Sequence, residues 1–388
     1  MDTRLAAFDL LRARGEATRP ELGAALGLSP GAVSNLAGGF LKEGVVEEAG
    51  FRDSAGGRRA AVLRLAGGYA RALTLEVTRR EVRGAVVDLA GRVLARAAGE
   101  ADATSPDALV ASVLAVARDL ARAPEARGAR GMGVAVGGLV DREAGVVRRF
   151  PLLETWRDVP LGAMLQEALG YETRLANEIQ VAAQGELRFG VARGLANAAY
   201  LHIGRGIGVG LVLGGRVASG AHGTAGELGH VRAGAGEELC HCGAAGCLEA
   251  ECAPAAVVKA ARRALGEGVS STLAAGEAGA LTFEDVVHAA SEGDRLATNL
   301  LERMGARLGE AVAGLVNVFD PEAVILGGRL ASGTLLESLR RAFDARVLPA
   351  LRGLVTFREA ALGPDASLLG AADLVFDLLF AGGRGSGR

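Results

Sequence analysis

His230, Cys240, Cys242 and Cys247 crowd into one short stretch of this chain. Three sulfurs and an imidazole form the soft donor set of a tetrahedral structural zinc. Gly243 and Gly246 would let the backbone wrap around the ion. A shell filled by four protein ligands has no place for water, so the Zn2+ would hold structure rather than catalyse. The competing reading is a set of unrelated thiols. In a reducing compartment, four cysteines this close favour a metal over disulfides. Cys252 falls outside the spacing and reads as a small buried apolar residue. His241, between two ligand positions, is expected to face solvent.

A second set of residues could read nucleic acid. Thr18 is a good N-cap, and Pro20 with Glu21 suits the first turn of a helix over 21–26. Gly27 permits a tight turn, and Ser29 with Pro30 starts a second helix running toward Leu41. This is a helix-turn-helix. Its second helix would enter the major groove, which makes Ser29, Gly31, Ser34 and Asn35 the candidates for base and phosphate contacts. Two strands, at 45–46 and 61–65, would flank a wing over 53–59, placing Arg58 and Arg59 near a phosphate or the minor groove. The same elements could instead form a dimerisation or protein-binding module.

These residues need a scaffold. At 388 residues the chain is long enough for two or three domains. Half of it is apolar but only 4% is aromatic, so the core must be built mainly of Leu, Val and Ala. The 58 glycines show no period and point to loops and close backbone contacts. The net charge of −2, without a basic block, confines any nucleic-acid contact to a local patch. No apolar run is long enough to cross a bilayer and no secretory leader is visible, so a cytoplasmic protein with no membrane partner is expected.

Residues 1–66 form the candidate winged helix, Gly67-Gly68 break the chain, and 381–388 read as a disordered tail. From 70 to 380, strand and helix signals alternate in an α/β pattern. Strands at 73–77, 82–89 and 93–97 precede a helix at 106–123 and a strand at 131–136. The pattern recurs with strands at 199–203, 208–213 and 216–218 and a later strand at 323–326. Two copies suggest duplicated lobes with a ligand cleft between them.

The run Gly-Glu227-Leu-Gly-His230, followed by Cys-His-Cys-Gly-Ala-Ala-Gly-Cys-Leu-Glu249, resembles the ROK family of repressors and sugar kinases. So do Asp320-Pro321-Glu322 with Gly327-Gly328, and Leu369-Gly370-Ala371-Ala372. The resemblance extends over nearly the whole chain. It implies a duplicated actin-like (RNase H-like) ATPase fold behind the winged helix, with the zinc loop at 230–247 shaping a sugar pocket. It also implies that Glu227, His230 and Glu249 bond sugar hydroxyls, with His230 giving one nitrogen to zinc and the other to the sugar. Asn177 and Glu178 match the family's Asn-Asp pair, a sugar contact and a kinase base; Gly137-Gly138 match a Pro-Gly on the sugar side.

Against the family's kinases, the Asp-x-Gly-Gly-Thr phosphate loop reads Glu76, Val77, Thr78, Arg79, Arg80, and Gly-Thr-Gly reads Gly204-Arg205-Gly206. The base has become Glu178, one methylene longer, a misplacement worth roughly 100-fold in rate. These departures imply a sensor with no ATP and no catalytic residue. The family's Asn-Leu-Gly-Trp segment reads Leu152-Leu153-Glu154-Thr155-Trp156, which alters or weakens sugar preference. The expectation is a homo-oligomeric repressor, dimer or tetramer, that binds double-stranded operator DNA and responds to a sugar or sugar phosphate. The alternatives are an active ATP-dependent hexose kinase and a repressor that senses a protein partner or no sugar.

Overall fold

A computed structural model describes residues 2–52, 59–151, 153–233, 236–275, 281–329 and 333–380. The expected tail at 381–388 and most of the wing, including Arg58, lie outside them. The chain divides into two compact units. The first holds Met1–Leu195, Gly215–Thr224 and Pro364–Arg388; the second holds Ala196–Gly214 and Ala225–Gly363.

The first unit opens with α1 (Thr3–Arg14), β1 (Glu16–Thr18), α2 (Arg19–Leu26), α3 (Pro30–Glu43), β2 (Val46–Arg52) and β3 (Ala60–Leu65). Local chemistry sets these boundaries. Thr18 and Glu21 form a reciprocal capping box on α2, Gly27 ends it in the left-handed conformation, and the Ser29 hydroxyl caps α3 by accepting from the Ala32 N–H. The strands pair antiparallel in the order β1-β3-β2. Strand β1 was not foreseen; three residues are too few to show a period.

Next come β4 (Arg71–Val77), β5 (Glu81–Asp88), β6 (Val93–Glu100), α4 (Pro106–Arg122), β7 (Ala129–Val136), β8 (Leu139–Asp141), β9 (Val146–Phe150), β10 (Leu153–Val159), α5 (Leu161–Leu169), β11 (Thr173–Asn177) and α6 (Glu178–Phe189). The sheet order is β11-β7-β4-β5-β6, an antiparallel meander followed outward by two parallel strands. Helix α4 buries Leu109, Val113, Val116 and Leu120, one stripe at helical spacing, against the sheet. A separate sheet, β10-β9-β8, buries Trp156 beside Phe150.

In the second unit, β12 (Ala198–Ile203) and β13 (Ile207–Leu213) begin a second meander, whose third strand is β14 (Arg216–Ala218) in the first unit's share of the chain. Helices α7 (Leu248–Cys252), α8 (Pro254–Gly266), α9 (Phe283–Ser291) and α10 (Arg295–Phe319) follow, then β15 (Ala323–Gly328), α11 (Gly333–Arg346) and β16 (Thr356–Glu359). Strand β12 pairs antiparallel with β13 and parallel with β15, and β15 pairs parallel with β16. This repeats the antiparallel pairing of β4 with β5, its parallel pairing with β7, and the parallel pairing of β7 with β11, so the expected duplication is present in the strand order.

The chain ends in α12 (Ala366–Phe376), which returns to the first unit. It lies so close to α6 that a Cβ on Gly370 would sit 1.6 Å from the Val181 carbonyl oxygen. Only glycine allows that approach. At its far end Asp373, 1% exposed, binds Arg12 of α1 and accepts from Arg188 at 3.1 Å; Arg12 also donates to Asp377 at 2.8 Å. Phe380 packs on Phe8 with ring centroids 4.6 Å apart. The helix-turn-helix is therefore fastened to the end of the chain by a buried charge network and an aromatic pair.

Candidate functional site

The cysteine loop is drawn tight by its own backbone. The Cys240 N–H donates to the Ala244 carbonyl at 2.8 Å and the Gly246 N–H to the Glu238 carbonyl at 2.9 Å. Gly243 and Gly246 supply the positive φ angles, +94° and +75°, that the turn requires. One donor atom from each of His230, Cys240, Cys242 and Cys247 lies within 4.8 Å of all the others. Cys240 Sγ is 3.6 Å from His230 Nδ1, and Cys242 Sγ is 3.7 Å from Cys247 Sγ. Burial pushes the Cys240 thiol up to about 12 and also raises Cys247, whereas the Ala244 N–H lowers Cys242. Thiols this crowded resist ionising together unless a cation shares their charge. The donor set and its spacing fit a metal ion, and these residues could hold one. Cys252 is fully buried, away from the cluster, in the apolar core of the second unit.

Beside this cluster lies a group of hydrogen-bonding side chains. His230 turns Nε2 to within 3.7 Å of Glu227 Oε2 while its Nδ1 faces Cys240. Glu249, on α7, accepts the Ile207 N–H at 2.9 Å through Oε2, and its Oε1 lies 2.8 Å from His241 Nε2. Gly206 makes room for this carboxylate: a Cβ there would stand 2.2 Å from Glu249 Oε2. Burial raises the Glu227 pKa above the ordinary carboxylate value, with His230 opposing. His241 is exposed, as expected, and also meets Glu249. Its Nε2 lies 2.8 Å from Glu249 Oε1, and in sequence it stands between a buried Cys240 and an exposed Cys242. The missed residues are His241 and Gly206; a Cys-His-Cys triplet and a Gly-x-Gly turn were the signals available.

In the first unit, Asn177 and Glu178 sit where β11 becomes α6. The Asn177 Oδ1 caps the helix by accepting from Ile179 and Gln180, and its Nδ2 donates to the Gly138 carbonyl at 3.0 Å. Its amide is therefore already engaged at both ends. A Cβ on Gly137 would lie 3.0 Å from Glu178 Oε2, so this glycine leaves space for the Glu178 carboxylate. In the β4–β5 hairpin, the Thr78 hydroxyl donates to the Glu81 carbonyl at 2.8 Å, and Arg79 and Arg80 form the turn. Glu76 is tied to Arg83 and to the Ser367 hydroxyl. Arg205 is exposed in the β12–β13 turn.

On α3, Val33, Ala37 and Phe40 are buried, while Gly31, Ser34 and Asn35 lie exposed on the other side. Ser29 spends its hydroxyl on the helix cap. Arg59 is exposed at the start of β3. Of the Leu152–Trp156 stretch, Leu152 and the Glu154 side chain lie outside the described residues, and Trp156 is core. No helix among the described residues is long and apolar enough to cross a membrane.

Comparison with known proteins places these features in a lineage. A structure described as a ROK family transcriptional regulator, homolog of the E. coli MLC protein, superposes with a TM-score of 0.81 at 27% identity, over 97% of this chain and 96% of its own. The xylose repressor of Caldicellulosiruptor bescii is 28% identical over 335 residues, 85% of this chain and 84% of the relative. The glucokinase of Thermotoga maritima is 36% identical over 252 residues, but these are 63% of this chain and 78% of the kinase. The ROK family model matches residues 72–377. The chain belongs to the ROK family.

Proposed function

We propose that this protein is a transcriptional repressor that reads double-stranded operator DNA with residues 1–66 and responds to a sugar or sugar phosphate bound by residues 70–380. One observation carries the reading: the similarity to regulators runs through the helix-turn-helix, whereas the similarity to the glucokinase covers only 63% of the chain. The exposed Ser34 and Asn35 can reach base edges, where Asn pairs with adenine through two bonds. Ser29 and Gly31 approach phosphate, and Arg58 and Arg59 serve the wing. On the effector side, Glu227, His230 and Glu249 accept sugar hydroxyls, aided by Gly138, Asn177 and Glu178. Zn2+ held by His230, Cys240, Cys242 and Cys247 would fix the loop that orients His230. The protein acts in the cytoplasm as a homo-oligomer, dimer or tetramer, because one recognition helix reads too few bases alone.

The glucokinase similarity keeps a second reading in view, an ATP-dependent hexose kinase. Against it stand Glu76, tied to Arg83 and Ser367, and a β4–β5 turn occupied by Thr78, Arg79 and Arg80 in place of phosphate-admitting glycines. Arg205 in the second turn and Glu178 at the base position point the same way. Fluorescence anisotropy on DNA from upstream of the gene, with a panel of sugars and sugar phosphates, tests the repressor reading. Saturable binding altered by one sugar is the expected result. No operator binding together with ATP turnover on a hexose in a coupled assay would replace it with the kinase.

A further inference from the structure

We propose that the cavity walled by α1, β3, the β5–β6 turn, the loop after α6, and α12 is a binding site for a small phosphate-bearing anion, distinct from the cluster around Glu227 and Glu249. The cavity measures about 330 Å³, lies wholly within the first unit, and is lined by five arginines: Arg12, Arg64, Arg92, Arg188 and Arg193. Two carboxylates share the lining, Glu47 and Asp373. Both are already committed, Glu47 to Arg64 and Asp373 to Arg12 and Arg188.

Three of the guanidiniums keep donors in reserve. Arg64 pairs with Glu47, and Arg92 with Asp88, each through Nε at 2.7 Å. The terminal nitrogens of both make no hydrogen bond among the described residues. Arg193 has no carboxylate in ion-pair reach among the described residues and donates instead to the Arg188 carbonyl. The solvent it gives up there pushes its pKa down, with Glu16 opposing. Two glycines on the lining make space for these cations. A Cβ on Gly15 would lie 2.6 Å from Arg193 Nη1, and one on Gly67 would lie 2.6 Å from Arg92 Nη2.

The remaining guanidinium donors on three separate segments, the terminal nitrogens of Arg64 and Arg92 and Nη1 of Arg193, suit a tetrahedral oxyanion, which can accept from several of them at once. The volume suits a small phosphorylated metabolite. Arg64, Gly67 and Gly15 belong to the helix-turn-helix and its linker; Arg92 and Arg193 belong to the first α/β sheet and its helices. An anion held by all of them would fasten one to the other and give the protein an input separate from the sugar.

The test is calorimetric titration of the full chain with inorganic phosphate at constant ionic strength, chloride being the balancing ion. Saturable binding with one phosphate per chain is expected. It should weaken at least tenfold in Arg193→Gln and severalfold in Arg92→Gln and Arg64→Gln, the last replacing an exposed side chain whose partner Glu47 is also exposed, so that it leaves the fold intact. Absence of saturable binding, or equal affinity in Arg193→Gln and Arg92→Gln, overturns the proposal. So does a loss of operator affinity in these variants without any phosphate binding, which would assign the arginines to the DNA backbone. Operator binding by the unaltered protein is measured separately, so the repressor reading stands or falls on its own result.

Discussion

The two units solve opposite electrostatic problems. At the end of α12, Asp373 is 1% exposed, yet Arg12, Arg188 and Gln184 surround it, so the buried charge is answered from within the chain. In the cysteine loop, three thiols and an imidazole crowd together and supply no opposite charge of their own. The first arrangement is complete and holds two parts of a fold together. The second gathers four donor atoms that could hold a metal ion.

Breaking the first arrangement should have the largest effect. Arg12→Ala removes one of the two cations on buried Asp373 and should cost up to about 3–5 kcal/mol in urea unfolding. The same network predicts a pH dependence. Burial alone would raise the Asp373 pKa, but Arg12 and Arg188 outweigh it and hold the carboxyl below its ordinary value. Its stabilisation is therefore fully present above roughly pH 4 and is lost as pH falls through the lower folded value. Arg12→Ala should flatten that acid limb; an unchanged limb would show that other carboxylates set it.

The second arrangement breaks by removing the ion it could hold. Cys247→Ser, or a strong chelator, should release about one zinc per chain and lower the melting temperature, measured by elemental analysis and calorimetry. Metal content unaffected by the substitution would sink the ligand assignment. Gly206→Ala should cost about 1–3 kcal/mol, because its Cβ displaces the Glu249 carboxylate from the Ile207 N–H. Effector response should fall with it. Smallest in stability is Asn35→Ala on exposed α3, within about 0.5 kcal/mol of the parent. The same change should weaken operator binding by about 1–3 kcal/mol, read by anisotropy.

Much of this was legible in the sequence because periods and caps are local. Thr18, Glu21, Gly27 and Ser29 announced the helix-turn-helix, and apolar runs announced both meanders. The cysteine spacing announced the cluster, since its ligands are close in the chain. The Arg12–Asp373 pair was not legible: 361 residues separate its members, and neither stands in a local pattern. Asn177 as a helix cap was likewise hidden behind its family resemblance, and β8–β10 are short strands without clear alternation.

The face α3 offers has a thermodynamic consequence. From Pro30 to Leu41 the helix carries no charged side chain. The described arginines around it are largely spoken for: Arg4 by Glu43, Arg19 by Glu48, and Arg52 by Glu16 and Glu21. Among the described residues, Lys42 and Arg59 are exposed nearby, so the wing would carry most of the displacement of a duplex's ion atmosphere. With a slope of about −0.9 per neutralised phosphate, the logarithm of operator affinity should fall only gently with the logarithm of salt concentration. Discrimination between sequences would then persist at ionic strengths that strip more basic regulators from DNA.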